Sequence, residues 1–457
     1  MLKGRATIDL HDTIKGTYKR IVKENLVTNA YKYHLQSTIL MNGENNLIDM
    51  TGSNGALSIG DVTLAGLLLF DGPLVESVEN VHLPGDVHIV GYSDRSVDTS
   101  NPKRGSYNTL ESGKTDSGIT NVWDFTTAQA NGIISALSLT NIKAGADPIG
   151  YCINRDISGT TSTARAQYIY HDGIYGYYLS FSGSRLTITK SFQPQTAISV
   201  NTYNFAGSRN VGTYTIDMSG DSKAILEQAY WQYAGNGNLY AAIILADNSD
   251  DHSALTVRIA KIHTDDWENF TYTAAEDISL AGVTGRKTIN SATSMFRQPP
   301  VVSGHHIYIQ GYQEVSGVCK KIYIADLDNL SDIIETTVDT DNPGANAAAG
   351  ELVDWRQNYP SYNGTADFFE KSGQSYYRVR VYPDGTVAKS VTASLRHVMR
   401  GLADKNAPIN AHFSRGTGSN WGVFTQTAYL GTICNITPIE KTSAQTMKVT
   451  YTLTDVQ

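Results

Sequence analysis

Alternation of apolar and polar side chains is the dominant pattern along this chain of 457 residues. In residues 448–456, Val449, Tyr451 and Leu453 alternate with three threonines, which is the two-residue period of a strand with one buried face. Clusters of Gly and Asn separate such segments and predict turns. The same pattern predicts strands at residues 5–10, 185–189, 306–310, 321–325 and 378–382.

Two segments have a pattern that predicts helices instead. Residues 25–41 begin with the capping-type side chains Asn25 and Thr28, and residues 388–402 contain three basic side chains near their end, which suit a helix C-terminus. The strand segments are more numerous and are spread over the whole chain. We therefore predict an all-β fold with minor helices.

Three regions differ in their residue pattern. Residues 1–120 mix strands, a helix and Gly-, Asn- and Ser-rich turns, and end in a polar stretch at 93–117 that predicts a long loop. Residues 121–437 repeat a theme in which a Gly or Asn turn precedes an aromatic-rich strand and a Thr/Val/Ile strand. Residues 438–457 form a C-terminal strand, which we expect to return to the N-terminal domain. The length of the chain is consistent with several domains.

A faint repeat runs through the central region, with four aromatic anchors spaced 63, 68 and 60 residues apart. The anchors are Tyr177, Tyr240, Tyr308 and Phe368. Strand-rich units of regular size are typical of the blades of a β-propeller, which hides sheet edges by radial repetition. Stacked β-sandwiches are the alternative. In a propeller, pairing of residues 132–140 with residues 421–435 would close the ring.

Charge and cysteine usage argue against several classes of function. The net charge is -8 and no basic cluster is present, so nucleic acid is not expected as a partner. Cys152, Cys319 and Cys434 are far apart and odd in number, which predicts buried thiols rather than disulfides. No apolar run has the length of a signal peptide or a membrane span, so we expect no membrane insertion and no signal peptide.

Sequence motifs of nucleotide, hydrolase and zinc chemistry are absent, and we predict no catalytic residue, no metal and no cofactor. The acidic loop at residues 247–252 offers oxygen atoms of the kind that bind Ca²⁺, but a solvated turn is the simpler interpretation. His305 and His306 are adjacent, and adjacent strand residues point to opposite faces, which does not suit a pair of metal ligands.

Tyrosine is the most informative part of the composition, with 27 Tyr against 11 Phe and 5 Trp. Its side chain offers a large rigid contact area with a polar tip, as in polar recognition surfaces. Tyrosine is also a good strand former on half-buried sheets, so each residue has two interpretations. The candidate ligand-binding residues lie beside or near Gly, Asn or Ser: Tyr170, Tyr175, Tyr178, Tyr312, Tyr359 and Tyr362.

Several segments resemble structural proteins encoded in the tail regions of phages and prophages of Gram-positive bacteria. These segments are residues 3–8, 25–30, 66–70, 79–85, 104–108, 123–125, 130–132 and 441–451. The resemblance covers both ends of the chain and is much less specific in the middle. It implies a virion component, often a baseplate, tail fibre or receptor-binding protein, and it carries over no catalytic residue.

Three hypotheses follow from this resemblance and the Tyr-rich sequence. The first is a non-enzymatic viral tail protein for host adhesion, located in the virion, whose residues 1–120 dock onto other tail or baseplate proteins. Its central domain would bind host-surface polysaccharide, and the chain would form a homo-oligomer. The second is an architectural collar, neck or head-surface protein. The third is a surface-glycan depolymerase, which needs two suitably spaced carboxylates; Asp172, Asp367 and Asp384 are equally explained as turn or loop residues.

Overall fold

The structure is a computed structural model, and nearly all of its regular elements are strands, which confirms the predicted fold class. It divides into two compact units, Met1–Tyr151 with Asn406–Ile409 and Gln426–Gln457, and Cys152–Lys405 with Asn410–Thr425. The residues that it describes are 2–30, 64–98, 100–142, 144–149, 153–157, 167–171, 175–182, 184–192, 209–219, 231–245, 254–283, 300–310, 321–338, 352–353, 359–360, 364–372, 375–391, 399–401, 403–404, 412–415, 421–425 and 428–455.

The first unit is one antiparallel sheet that nearly closes into a barrel. Its strand order is β4-β3-β8-β31-β2-β1-β32-β7-β5, with β6 also beside β7. An isolated parallel bridge between Tyr92 of β4 and Arg104, two residues before β5, brings the two ends of this order together. The strands are β1 (Leu2–Asp12), β2 (Tyr18–Val27), β3 (Gly66–Phe70), β4 (Ile89–Ser93), β5 (Ser106–Tyr107), β6 (Gly113–Thr115), β7 (Gly118–Phe125), β8 (Gly132–Thr140), β31 (Thr432–Lys441) and β32 (Gln445–Asp455).

The C-terminal strand lies beside the N-terminal strand. β32 pairs with β1 from Leu2 opposite Asp455 to Asp12 opposite Gln445, and its other edge pairs with β7. The boundaries of this unit differ from those expected, because it continues past residue 120 to Tyr151 and resumes at Gln426 instead of 438. The pairing of β8 with both β3 and β31 explains the difference, since it ties residues 132–140 to this sheet.

Alternating side chains of these strands fill the interior of the barrel, as the sequence period predicts. Trp123, Val449 and Tyr451 are each 0% exposed. Cys434 also lies in this core, and burial raises the pKa of its thiol to about 12, so this cysteine is the buried thiol that was expected. Cys152 and Cys319 lie outside the described residues.

The polar segment at residues 93–117 is mostly a loop, interrupted by β5 and β6, and its own carboxylates order it. Asp98 Oδ1 accepts hydrogen bonds from two backbone N–H groups that follow it, at 2.8 and 3.1 Å. Arg104 Nη2 donates to Asp94 Oδ1 at 2.8 Å. The Gln129 side chain donates to the backbone oxygens of Asp98, at 2.8 Å, and of Arg104.

A lysine on β31 has its side chain buried in the first unit. Lys441 is 1% exposed, and its Nζ donates hydrogen bonds to the Thr126 carbonyl oxygen at 2.9 Å and to Asn131 Oδ1 at 2.8 Å. Burial lowers the pKa of this amine from 10.5 to about 8. The ammonium form is therefore costly in the folded protein, since a buried charge loses its hydration.

Lys441→Met removes this charge and isolates its pH dependence. From about pH 8 to 10.5 the unfolded chain retains a proton that folded Lys441 has lost, so this residue makes the free energy of unfolding rise with pH in that window. Between pH 8 and 10.5, we expect the free energy of unfolding of wild type to rise by about 3 kcal/mol relative to that of the variant. Urea unfolding of both proteins at several pH values measures this change. If their free energies of unfolding had the same pH dependence, the prediction would be wrong.

In the described residues the second unit forms five sheets, each with a short innermost strand, and these are the blades of a propeller. Blade 1 consists of β10 (Gln167–His171), β11 (Tyr175–Ser182), β12 (Arg185–Phe192) and β13 (Arg209–Asp217), with β28 (Ala403–Asp404) beside β10. Blade 2 consists of β14 (Trp231–Gly235), β15 (Asn238–Ile244), β16 (Ala254–His263) and β17 (Thr271–Ala281). Blade 3 consists of β18 (Val301–Ser303), β19 (His306–Gln310), β20 (Lys321–Asp326) and β21 (Asn329–Thr337).

The last two blades complete a ring. Blade 4 consists of β22 (Leu352–Val353), β23 (Tyr359–Pro360), β24 (Ala366–Ser372), β25 (Ser375–Val381) and β26 (Val387–Lys389). Blade 5 consists of β27 (Met399–Gly401), β29 (His412–Arg415), β30 (Trp421–Thr425) and β9 (Ile153–Ile157). Innermost strands contact their neighbours in the order β10, β14, β18, β23 and β27, and β28 contacts β10. Over the residues that the structure describes, the central domain is therefore a β-propeller of five blades.

The ring is closed by a different pair of strands from the one expected. β9, the first strand of the unit, pairs with β30 near its end, with Ile157 opposite Trp421 and Ile153 opposite Thr425. Residues 132–140 do pair with the end of the expected segment, Cys434 opposite Leu137 and Asn435 opposite Ala136, but this pairing belongs to the sheet of the first unit and does not close the ring. Closure by the first and last strands of the propeller holds the ring together without a strand from the other unit.

The aromatic anchors of the repeat occupy equivalent strands, β11, β15, β19 and β24, and all four are buried. The turn before three of the anchors contains a glycine with positive φ, at Gly237 (72°), Gly304 (59°) and Gly364 (85°). A Cβ on Gly237 would lie 1.9 Å from the Thr264 carbonyl oxygen. The turn thus requires glycine there, which explains the Gly-then-aromatic pattern of the sequence.

Each helix prediction is wrong over part of its described residues. Asn25 to Val27 belong to β2, and helical backbone appears only at Asn29 and Ala30, while residues 31–41 lie outside the description. Ala388 and Lys389 end β26, and β27 begins at Met399. Pairing with neighbouring strands, such as Ala388 with Arg380, prevails over local helix propensity.

Candidate ligand-binding surface

Blades 1 and 2 bring four aromatic side chains together, and we call Tyr170, Tyr177, Tyr233 and Trp267 the aromatic cluster. Tyr170 and Tyr177 are cross-strand partners on β10 and β11, and Tyr233 lies on β14. Trp267 comes from the connection between β16 and β17. Strand pairing therefore fixes three of the rings, and the fourth is added by a surface loop.

The indole of Trp267 packs on all three tyrosines. Its ring centroid lies 4.3 Å from that of Tyr170 with the planes 5° apart, 4.3 Å from that of Tyr177 and 5.4 Å from that of Tyr233. The tyrosines are 4%, 1% and 8% exposed, whereas Trp267 is partly exposed. The buried rings thus form a rigid base beneath a tryptophan that reaches the surface.

The backbone at Trp267 has φ of 58°, a left-handed conformation that bulky residues seldom adopt. The preceding Asp266 holds the loop, since its Oδ1 accepts hydrogen bonds from the backbone N–H groups of Glu268 and Asn269, both at 2.8 Å. These hydrogen bonds lower the pKa of Asp266 to about 2. Thr264 Oγ1 accepts a hydrogen bond from the backbone N–H of Trp267 at 2.8 Å. Backbone strain held in this way is often found at binding sites.

Further aromatic side chains continue the surface around this loop. Tyr214 and Phe270 have ring centroids 5.2 Å apart, and the Phe270 ring lies 6.2 Å from that of Trp267. All of them are partly buried against the same core. We call the five partly exposed rings the aromatic surface: Tyr175, Tyr214, Trp267, Phe270 and Tyr272.

Charged groups border the aromatic surface. Lys190 Nζ lies 4.8 Å from the ring centroid of Tyr175 and 2.9 Å from Glu268 Oε1. The side chains of Glu268 and Asp265 are 60% and 93% exposed, and His263 Nε2 lies 3.2 Å from Asp265 Oδ1. The surface thus combines apolar ring faces with hydrogen-bond donors and acceptors, which is the composition of a site for a polar ligand with an apolar face.

The structure places only part of the tyrosine set predicted from sequence on this surface. Tyr175 belongs to it, but Tyr170 is a buried core residue that supports Trp267, so its predicted direct role in binding is wrong. Tyr178 lies on β11 and Tyr359 on β23, and their side chains are not described. Tyr312 and Tyr362 lie outside the described residues.

Sequence reasoning missed Trp267, Tyr233 and Lys190. The one local signal was the run Asp265-Asp266-Trp267, in which an Asx-type turn follows a strand and presents the next side chain. The partners of Trp267 come from two blades, and their contact depends on the packing of the propeller.

The carboxylates considered for chemistry have structural contacts where they are described. Asp367 is 3% exposed, and its Oδ1 lies 2.8 Å from Arg380 Nε. Asp384 accepts hydrogen bonds from the Thr386 backbone and hydroxyl at 2.9 and 2.8 Å, as a turn residue does. Asp172 and the acidic loop at 247–252 lie outside the described residues. Within the described ranges, no group of three or more His, Cys, Asp or Glu side chains is arranged to hold a metal ion.

The adjacent histidines have separate surroundings. His305 Nδ1 lies 3.4 Å from Asp328 Oδ2, and burial lowers the pKa of His306 at the start of β19.

In the part of the chain that the structure describes, no helix is long and apolar enough to cross a membrane.

Comparison with known proteins places the chain in no family. No family model matches it, and no curated protein matches it. TolB from Acinetobacter baumannii is 11% identical with a TM-score of 0.27, over 72% of this chain and 81% of that protein. A neuraminidase-like protein from A/bat/Guatemala/164/2009 is 9% identical with a TM-score of 0.26, over 71% and 87%.

A third similar structure is the WD40 domain of Toxoplasma gondii coronin, at 8% identity and a TM-score of 0.24, over 68% of this chain and 88% of that one. Such scores carry no function to this chain. The assignment of the propeller rests on its own strand order and on the closure of blade 5.

Proposed function

We propose that this chain is a non-enzymatic host-adhesion protein of a tailed phage or phage-tail-like particle. In this proposal the aromatic surface of the propeller binds polysaccharide on the host cell. The observation that carries the binding role is the partly exposed Trp267, held on three buried tyrosine rings and bordered by Lys190 and Glu268. The particle assignment is supported by the resemblance at both ends of the sequence.

The chemistry of a polysaccharide suits this surface. A sugar ring has an apolar C–H face that packs on an aromatic ring, and hydroxyl groups at its edge that hydrogen-bond to charged side chains. The rings are already fixed by strand pairing and by stacking, so binding orders few additional groups. A rigid site of this kind gains affinity without a deep cleft.

Several copies of this shallow site on one particle would together bind a cell surface much more tightly than one copy does. A single shallow contact of this kind is weak, since even a pair of aromatic rings contributes only about 0.5–1.5 kcal/mol beyond the buried area. Several copies on one particle engage the same cell surface, so the second and later contacts form at high effective concentration. The proposal therefore expects weak binding by a single chain and strong binding by particles.

Docking onto the particle is proposed for the whole first unit. Both ends of the chain enter it, because β1 and β32 pair along their full length. The docking region thus extends beyond residues 1–120 and includes β7, β8 and β31. An attachment through this unit would use no residue of the aromatic surface, which belongs to the second unit.

Cell binding by the purified full-length chain tests this function. Fluorescently labelled protein would be titrated onto a panel of Gram-positive strains and onto matched strains that lack surface polysaccharide. The proposal expects saturable binding that disappears with the polysaccharide. A folded chain that binds none of the strains would favour the architectural role, and release of sugar ends from the polysaccharide would favour the depolymerase.

A further inference from the structure

The first unit contains a strand with an open edge. β1 pairs with β2 from Gly4 opposite Asn25 to His11 opposite Tyr18, whereas β31 pairs with β2 only at Leu26 and Val27. Among the described residues, no strand pairs with the outer edge of residues 19–25. An exposed edge of this length is a template for another strand.

The side chains on the outward face of this strand form a self-complementary series. Arg20, Val22 and Glu24 share one face, opposite to the face on which Ile21 packs against the barrel core. Val22 is 42% exposed. Along this face a positive, an apolar and a negative side chain follow one another. In an antiparallel second copy the order is reversed, so opposite charges can face each other across the contact.

Charge selects one register for pairing β2 with a second β2. With the two-fold axis at Val22, Arg20 faces Glu24 of the second copy and Lys19 faces Asn25. An axis at Ile21 would place Lys19 opposite Lys23, and an axis at Lys23 would place two copies of that lysine opposite each other. Like charges directly opposite are destabilising, so the axis at Val22 is favoured. It also centres the pairing on the open edge, residues 19–25.

We propose that two copies of this chain associate through antiparallel pairing of their β2 strands about Val22. Arg20 already binds Asp9 through two hydrogen bonds, of 2.6 and 2.9 Å, which hold its guanidinium on the outward face. A guanidinium has five N–H donors, so it accommodates Glu24 of the second copy as well. The result is a two-fold contact that covers both open edges and closes on itself.

Sedimentation of the full-length chain over about 1–100 µM tests the association, a range in which weak two-fold contacts are measurable. The proposal expects a monomer–dimer equilibrium, and Val22→Asp should weaken the dimer at least about tenfold, because it places two carboxylates at the axis. Val211→Asp is the matched control, since Val211 is also 42% exposed but lies on β13 of the propeller. A monomer throughout, or equal effects of the two substitutions, would overturn the proposal.

Cysteine crosslinking tests the register independently. In the proposed dimer the two copies of position 22 face each other with Cα atoms about 4.5–5.5 Å apart, within disulfide reach. The two copies of position 24 lie about 13 Å apart, which is out of reach. Under mild oxidation Val22→Cys should form a covalent dimer, whereas Glu24→Cys and wild type should not. Failure of Val22→Cys to crosslink, or equal crosslinking of Glu24→Cys, would contradict this register.

Discussion

Replacing Asp367 by alanine is expected to lower the free energy of unfolding of the propeller by about 3–5 kcal/mol. Asp367 on β24 lies between two arginines of β25, with Arg380 Nε at 2.8 Å and Arg378 Nε at 3.3 Å. The three side chains are 4%, 11% and 4% exposed, respectively. Removing the carboxylate would leave two positive charges in blade 4 with little hydration, which costs far more than the pair itself contributes.

An exposed ion pair of the same chemistry is the control. Asp277 and Arg258 form two hydrogen bonds across β16 and β17, at 2.5 and 2.7 Å, but their side chains are 44% and 25% exposed. Asp277→Ala should cost less than about 1 kcal/mol. Urea unfolding of both variants measures the difference. Equal losses would show that the contact of Asp367 with the arginines is no more important than one at the surface.

Trp123→Ala is expected to destabilise the first unit by about 3–5 kcal/mol, the usual cost of removing a buried tryptophan side chain. Trp123 on β7 is 0% exposed, and its Nε1 donates a hydrogen bond to the Asp94 carbonyl oxygen at 2.8 Å. The ring of Tyr107 packs edge-on against it at 6.1 Å. The substitution thus removes core volume and also releases the polar segment that begins at Asp94.

Hydrogen exchange separates these two effects. Trp123→Ala should increase exchange both in β7 and in residues 94–107. Trp123→Phe fills much of the space but lacks the N–H donor, so it should cost less and loosen mainly the polar segment. Unchanged exchange in that segment for both variants would contradict a role of Trp123 in ordering it.

Strand positions were the most predictable part of this fold. Residues 306–310 coincide with β19, and residues 321–325 lie within β20, because apolar alternation reports directly which face of a strand is buried. The aromatic repeat also predicted the blades. Tyr240 and Tyr308, for example, are buried in cores shared with the next blade, and each follows a turn that contains a glycine with positive φ.

Several features that depend on contacts far apart in sequence were not predictable. Asn25 has capping chemistry, but Asn25 to Val27 belong to a strand, in which Gly4 of β1 pairs with Asn25. The ring closure was misplaced for a similar reason, since alternation identifies strands but not the sheet to which their pairing belongs. The position of Trp267 depends on the Asx-type turn and on its contact with Tyr170. Only the turn is local in sequence, so the sequence alone did not identify Trp267 as a site residue.

Cell binding by Trp267→Asn tests the proposed binding surface most directly, because asparagine adopts positive φ readily and should preserve the loop while removing the ring. Tyr377→Ala is the control, as it removes a partly exposed ring of blade 4 that lies under Lys389 Nζ at 5.1 Å. On polysaccharide-bearing cells, we expect Trp267→Asn to bind about 30-fold more weakly than wild type, as when other central aromatic contacts are removed, and Tyr377→Ala to bind as wild type does. Wild-type affinity of a folded Trp267→Asn variant would contradict binding through the aromatic surface.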